Sequence, residues 1–177
     1  MMDSKSALRR TAELRRLQSG VKSDLAPVVA PLLGRSAQVA SYLAFGREPF
    51  VSPQPGWLLP VLQPDGSLDW AINTGEYVEN HLGLREPVGP RLGEEAIADC
   101  DLVLVPALLV DRQGYRLGRG GGSYDRALRA ARGLTVALLH DGELVDELPH
   151  EDHDVPVAAV ATLSLGVVRL AESALGQ

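Results

Sequence analysis

Two arginines, four glycines and a carboxylate lie within ten residues of one another in Arg116-Leu117-Gly118-Arg119-Gly120-Gly121-Gly122-Ser123-Tyr124-Asp125. Glycines free to adopt positive φ let a backbone close around a ligand, and N–H groups at the start of a following helix present partial positive charge to an anion. Arg116 and Arg119 add full charges that can fork onto phosphate oxygens. The run is not a Walker A loop, since no Gly-Lys-Ser/Thr follows, and it misses the dinucleotide pattern because Ser123 stands where the last glycine belongs. Phosphate binding and a purely structural turn both remain open on this stretch alone. A second basic group lies near the amino end, where Lys5 and Arg9 are spaced i, i+4 on a helix that Ser4 can cap. They read either as a pair converging on a polyphosphate or as a solvated face.

The elements that must hold these groups follow from the pattern of the chain. Leu102 to Val110 is aliphatic and β-branched, as a buried strand of a parallel sheet would be, and it ends at Asp111 just before the glycine loop. Tyr124 to Arg132 reads as a short helix after it. Helices are expected from Ser4 to Gln18 and from Asp24 to Leu33, the latter stopping at Gly34. Strands are expected at Val39–Phe45, Trp57–Leu62, Leu68–Ile72, Leu134–Leu139 and Val157–Leu163, with one helical turn at Glu94–Ala98, a polar loop from Gly75 to Arg91, and a short helical or frayed carboxyl end. Alternating strands and helices predict an α/β fold in a single domain, residues 1–177, with a mostly parallel sheet and helices on both faces. Only about eleven residues separate Phe45 from Trp57, too few for an ordinary crossover helix. The sheet is therefore expected to be shortened or rerouted between residues 45 and 57.

Composition bounds the possibilities further. The 177 residues carry a formal charge of −6 and one cysteine, which argues against a general nucleic-acid binder and against an internal disulfide. Residues 1–24 run the other way, with six basic against three acidic side chains. No apolar run reaches the roughly 20 residues that span a bilayer, and no leader pattern opens the chain, so a cytoplasmic monomer with no membrane and no nucleic-acid partner is expected. Cys100, with no motif around it, reads as a buried small side chain rather than a nucleophile. His150-Glu151-Asp152-His153-Asp154 packs five potential ligands together, but between Pro149 and Pro156 and with no distant Cys or His set it does not read as a zinc site.

Asp101 to Leu128, DLVLVPALLVDRQGYRLGRGGGSYDRAL, closely resembles the signature of 5-formyltetrahydrofolate cyclo-ligases, also called 5,10-methenyltetrahydrofolate synthetases. Lys5 to Arg9, Tyr42 to Glu48, and Leu144 to Pro149 leading to His153-Asp154-Val155-Pro156-Val157 fall in the matching order, so the resemblance covers most of the chain. It implies ATP- and Mg²⁺-dependent conversion of 5-formyltetrahydrofolate to 5,10-methenyltetrahydrofolate with release of ADP and phosphate. Under it, Lys5 and Arg9 are amino-terminal ATP contacts, and Arg116, Leu117, Gly118, Arg119, Gly120, Gly121, Gly122, Ser123 and Tyr124 form the phosphate loop. Arg119 to Ser123 also border the substrate. Asp125 and Asp154 are magnesium-associated carboxylates, Arg119 and Asp125 serve catalysis, and Leu43 and Glu48 line the folate site, with Glu48 accepting hydrogen bonds from the pterin.

Two features depart from that family pattern. Pro49 to Gly56 stands where the family places a helix, next to the implied folate pocket, and Ser123 stands where the family often has an aromatic residue, which removes a stacking surface. Two other readings therefore stay in play. One is a relative that binds nucleotide or folate without turnover; the other is an α/β enzyme that grips a sugar phosphate or coenzyme A and has no use for ATP, Lys5 or Arg9.

Overall fold

The computed structural model describes residues 4–170; the sequence expectation for the extreme carboxyl end falls outside them. Ser4 caps α1 (Lys5–Ser19), accepting from the Ala7 N–H, and Gly20 ends it in the left-handed region at φ 62°, as the sequence pattern requires. Helix α2 (Ala26–Leu33) begins two residues after Asp24, whose carboxylate accepts the Ala26 N–H at 2.9 Å.

Strands β1 (Val39–Ala40), β2 (Leu58–Leu62) and β3 (Leu68–Ile72) are followed by a ribbon of β4 (Tyr77–Glu79) and β5 (Arg85–Pro87), a 3₁₀ helix over Glu94–Asp99, and β6 (Leu102–Pro106). Then come β7 (Leu109–Asp111), β8 (Arg116–Leu117), α3 (Ser123–Ala130), β9 (Leu134–Leu138), β10 (Leu144–Val145), β11 (Ala159–Thr162) and β12 (Gly166–Arg169). The main sheet has seven strands in the order β12-β11-β9-β6-β1-β2-β3. The inner pairings are parallel and the two edge pairings, β11 with β12 and β2 with β3, are antiparallel. A mostly parallel α/β sheet is thus what forms.

Strand β6 shows why helices cover both faces. Val103 and Val105 point toward Trp70, Ile97, Ala127 and Leu128, the side covered by α3 and the 3₁₀ turn. Leu102 and Leu104 point the other way, into the cluster with Leu25, which precedes α2, and Val29 within it. A strand buried on both faces reads as a continuous apolar run, and this one does.

Three expectations are corrected. The run from Leu102 to Val110 is two strands, because Pro106 has no N–H to continue the ladder; after it β7 joins β8 and β10 in a separate three-stranded sheet against which α1 packs through Leu8 and Ala12. The strand expected over Val39–Phe45 pairs only at Val39 and Ala40. The expected loop from Gly75 to Arg91 contains the β4–β5 ribbon.

No helix lies between Phe45 and Trp57, yet β1 and β2 are parallel neighbours, with Ala40 opposite Leu58. The chain makes the crossover in extended form. Phe50 bridges to Asp24, its carbonyl accepting the Leu25 N–H at 2.8 Å and its N–H donating to Ser23 O at 3.0 Å. Val51 is buried, and the Tyr42 hydroxyl donates to Pro49 O at 2.6 Å. Backbone bonds to the α2 start thus stand in for the missing helix.

The chain leaves β1 toward β2 on one side and leaves β6 toward β9 on the other. Between β1 and β6 the connections therefore diverge at the carboxyl ends of the strands, which is where open α/β sheets form a crevice.

Candidate active site

A cavity of about 540 Å³ opens at that divergence, lined by Tyr42 and Leu43 after β1 and by Pro106 at the end of β6 with Ala107 and Leu108 beyond it. All of the residues singled out from the sequence line it: Lys5, Arg9, Leu43, Glu48, Asp125, Asp154 and every position from Arg116 to Tyr124. They arrive from α1, from the extended segment after β1, from the glycine loop and first turn of α3, and from the loop before β11. The glycine loop does not leave the central strand directly, as the sequence suggested. It returns to the end of β6 through the β7–β8 hairpin, and Arg116 Nη1 reaches back to Pro106 O at 3.4 Å.

The loop is held by side chains from elsewhere in the fold. Arg9 Nε donates to Gly118 O at 2.8 Å. Gly120 has φ 109°, a backbone conformation that favours glycine, and the Arg9 guanidinium packs against it. Gly122 caps α3 in the left-handed region at φ 68°. At the far side of the loop, Arg126 Nη1 donates to Asp65 O at 2.7 Å, fixing α3 to the turn between β2 and β3.

Charges meet across the cavity in three pairs. Lys5 Nζ lies 2.7 Å from Asp154 Oδ2, Arg119 Nη2 lies 3.3 Å from Glu48 Oε1, and Arg116 Nη2 lies 3.8 Å from Asp125 Oδ2. Burial alone would push the Asp154 carboxyl up, but the Lys5 ammonium and the Glu151 N–H outweigh it and hold it below the ordinary aspartate value. Burial lowers the Arg116 pKa, and the neighbouring Asp125 opposes this; from a starting value so far above neutrality the guanidinium stays charged. Its plane lies over the Tyr124 ring, 5.4 Å from the centroid. Arg116 Nε and the Tyr124 hydroxyl are both buried with no hydrogen-bond partner among the described residues. Buried donors without a partner are costly.

Asp125 Oδ1 accepts the Val155 N–H at 3.2 Å, which ties the start of α3 to the Asp154 segment. Asp125 and Asp154 thus share one corner of the cavity, each with one oxygen fixed by a backbone N–H. Among the described residues no group of three or more His, Cys, Asp or Glu side chains is placed to hold a metal. His150 instead stacks on Tyr115, with ring centroids 3.7 Å apart, and His153 Nε2 sits 3.3 Å from Glu151 and 3.5 Å from Asp154. Cys100 is buried and its thiol is pushed up to about 11 by that burial and by Asp99 and Asp101, so it is not a thiolate at neutral pH.

The sequence did not point to the outer wall of the cavity. Asn80, Leu82, Leu84, Arg85 and Glu86 of the β4–β5 ribbon line it together with Pro60 and Leu62 of β2, and Glu86 Oε2 accepts the Leu62 N–H at 3.0 Å. The available signal was the turn itself. Asn80 accepts the Gly83 N–H at 3.0 Å, and Gly83 has φ 75° between two short alternating triplets. Phe45 was missed as well; its ring lies under the Arg119 guanidinium at 5.0 Å.

Comparison with known proteins agrees with this geometry. The model of the 5-formyltetrahydrofolate cyclo-ligase family matches residues 5–163. The chain is 46% identical over 121 residues to 5-formyltetrahydrofolate cyclo-ligase of Mycolicibacterium smegmatis, covering 64% of this chain and 62% of that protein. It is 37% identical over 113 residues to the Escherichia coli K12 protein of the same name, covering 60% of this chain and 62% of that one. The matched segment therefore spans about 62% of the length of these curated relatives. The NMR structure of Aquifex aeolicus 5,10-methenyltetrahydrofolate synthetase superposes with a TM-score of 0.75 at 26% identity, covering 98% of this chain and 96% of that one. The synthetase from Mycoplasma pneumoniae shares the fold at a TM-score of 0.65 and 16% identity, covering 89% of this chain and 98% of that one. With its glycine loop, amino-terminal basic pair and carboxyl-terminal aspartate gathered around one crevice, the chain belongs to the 5-formyltetrahydrofolate cyclo-ligase family.

Proposed function

We propose that this protein joins N10 of 5-formyltetrahydrofolate to its own formyl carbon at the expense of ATP, giving 5,10-methenyltetrahydrofolate, ADP and phosphate. The observation that carries the reading is the convergence of residues from four separated segments on a single cavity. Nucleotide contacts and folate contacts have to share a space if a phosphoryl group is to pass from one ligand to the other.

A formamide oxygen is a weak nucleophile and its carbon a poor electrophile. Transfer of the γ-phosphoryl group to that oxygen breaks the bond to ADP and creates a phosphate leaving group. N10 then attacks the activated carbon, its proton is lost, and the C–O bond breaks to release phosphate. The protein supplies no nucleophile; it aligns the two ligands and offsets charge on the transferring group. Arg116 and Arg119 meet phosphate oxygens, and both side chains come from a segment that lines the cavity. Lys5 and Arg9 hold the nucleotide from α1. Leu43 packs the pterin and Glu48 accepts its N–H groups.

The donor set suits magnesium. Two carboxylates, Asp125 and Asp154, would hold it, with the remaining positions left for phosphate oxygens and water, as this cation prefers. Bound there, it would neutralise phosphate charge.

Label transfer tests the reaction. With ¹⁸O in the formyl group, one ¹⁸O should appear in inorganic phosphate for each methenyltetrahydrofolate formed. Phosphate free of label, or no phosphate release coupled to folate, would contradict the proposal.

A further inference from the structure

Lys5, Arg9, Ala12 and Arg16 follow one another on α1 at i, i+4, i+7 and i+11, so they form one stripe along the helix. Each charged member of the stripe holds a different part of the fold. Lys5 meets Asp154 and Arg9 meets Gly118 O, both at the cavity. Arg16 lies about 16 Å farther along the axis than Lys5 and is buried. Its Nε donates to Glu143 Oε1 at 2.8 Å, and its Nη2 donates to Glu143 Oε2 at 2.8 Å and to Ala107 O at 2.6 Å. Ala107 lines the cavity just past the end of β6. Glu143 is itself held by the His140 N–H at 2.9 Å.

Apolar packing does little to fix α1 along that axis. Leu8 and Ala12 pack against the β7–β8–β10 sheet, while Leu14 and Leu17 are 56% and 66% exposed. Apolar contact is non-directional and tolerates sliding or rotation, whereas a guanidinium forked on a carboxylate fixes both distance and angle. A buried ion pair adds little net stability over apolar residues of the same volume, so what Arg16 and Glu143 contribute is geometry.

Resting on the reading of Lys5 and Arg9 as nucleotide contacts, we propose that Arg16 is a positioning residue for the nucleotide: clamped on Glu143 and the Ala107 carbonyl, it sets the register of α1 so that Lys5 and Arg9 reach the phosphates. Arg16 touches neither ligand. It acts through the two cations at the other end of its stripe, and a shift at Arg16 is carried to both along one continuous helix.

The test measures calorimetric binding of a non-hydrolysable ATP analogue, with thermal unfolding alongside, in the full chain. The variants are Arg16→Lys, Arg16→Met/Glu143→Gln, Lys5→Ala, and Lys5→Ala combined with each change at Arg16. The Arg16→Met/Glu143→Gln change removes the ion pair without leaving a buried charge behind. It should weaken the analogue about tenfold, the scale of a lost charged hydrogen bond. Arg16→Lys keeps the charge but not the fork and should fall between it and the wild type. Lys5→Ala should cost about tenfold alone and under about twofold once the Arg16–Glu143 pair is gone, because residues acting through one another are not additive. Should the pair be required for folding, Arg16→Lys with and without Lys5→Ala carries the same comparison. Affinity for 5-formyltetrahydrofolate alone should stay within about twofold, since glutamine at 143 keeps an acceptor for the His140 N–H. Additive losses, unchanged nucleotide affinity, or equal weakening of both ligands would overturn the positioning role. Turnover separates this inference from the cyclo-ligase reading. Additive losses in a protein that forms methenyltetrahydrofolate overturn the role of Arg16 alone, and non-additive losses in one that binds nucleotide without product uphold it while contradicting the reaction. A wild-type chain that binds no nucleotide overturns both.

Discussion

Arg119 of the glycine loop and Glu48 of the segment after β1 form an ion pair at 3.3 Å, which joins the cation proposed for phosphate to the carboxylate proposed for the pterin. Glu48 Oε2 is also fixed by the Phe45 N–H at 2.8 Å, which leaves Oε1 as the oxygen that Arg119 covers. On those proposed roles, incoming phosphate is expected to compete for Arg119 and uncover Glu48. A non-hydrolysable ATP analogue should therefore tighten 5-formyltetrahydrofolate binding about fivefold or more, and folate should tighten nucleotide binding by the same factor. Calorimetry of each ligand in the presence of the other checks this. In Arg119→Ala the coupling should vanish; its persistence would separate the ion pair from ligand exchange.

Arg119→Ala and Asp125→Asn should each reduce kcat about a hundredfold or more, the scale seen when one preorganised group is lost from a developing charge. The fold should survive both. Arg119 is half exposed, and an asparagine at 125 keeps an acceptor for the Val155 N–H. Steady-state turnover alongside thermal unfolding separates the two effects, and unchanged turnover in both variants would remove the loop from the mechanism.

His140 holds the Glu48 segment from behind. Its Nε2 donates to Arg47 O at 2.7 Å while Nδ1 accepts from the Ser23 hydroxyl at 2.8 Å, and its own N–H donates to Glu143 Oε2 at 2.9 Å. Glu143 in turn receives Arg16 of α1 through two bonds of 2.8 Å. His140→Ala leaves a buried hydroxyl and a carbonyl unpaired and should cost about 2–3 kcal/mol of stability. It should also raise KM for 5-formyltetrahydrofolate more than KM for ATP. His140→Gln, which can still donate toward Arg47, should restore part of the KM effect; no rescue would mean that the ring serves packing alone.

Asp154 links the site to acid stability. Its carboxyl is held below its ordinary value in the folded chain, with the Lys5 hydrogen bond outweighing the opposing effect of burial, so the unfolded chain binds the proton more readily. The stabilisation is fully present above the unfolded value of about 3.9 and disappears as pH falls through the lower folded value. Denaturant midpoints of wild type and Asp154→Asn should differ at pH 7 and converge as pH falls below about 4. A gap that persists at acid pH would show that Asp154 acts through shape rather than charge.

The chemistry of the site was more legible than the course of the chain around it. Lys5, Arg9 and the glycine loop carry a phosphate reading in residue type and spacing, whereas Asp154 entered only through the family resemblance; the fold lines one cavity with all of them. The run from Leu102 to Val110 looked like one strand because hydrophobicity does not register the missing N–H of Pro106, which frees the chain to start a second sheet. β1 was overextended because Ser41 to Phe45 has strand-like composition but spends it on the cavity wall, with Tyr42 tied to Pro49. β12 was missed since its signal is confined to Val167 and Val168 after Gly166, which has φ 71°. The β4–β5 ribbon was hidden by its charge and its glycine. Short ribbons are specified by what they pack against, here Leu62 and Glu86, and that is not a local property of the sequence.

The measurement that bears most directly on the central claim is growth of methenyltetrahydrofolate absorbance when the protein is mixed with 5-formyltetrahydrofolate, ATP and Mg²⁺, with an ATP-free control. ATP-dependent product at multiple turnovers is the predicted result, and it would show that the helix-free crossover from residue 41 to residue 57 supports catalysis. Nucleotide binding without product would contradict the account and identify a binding protein built on the cyclo-ligase fold.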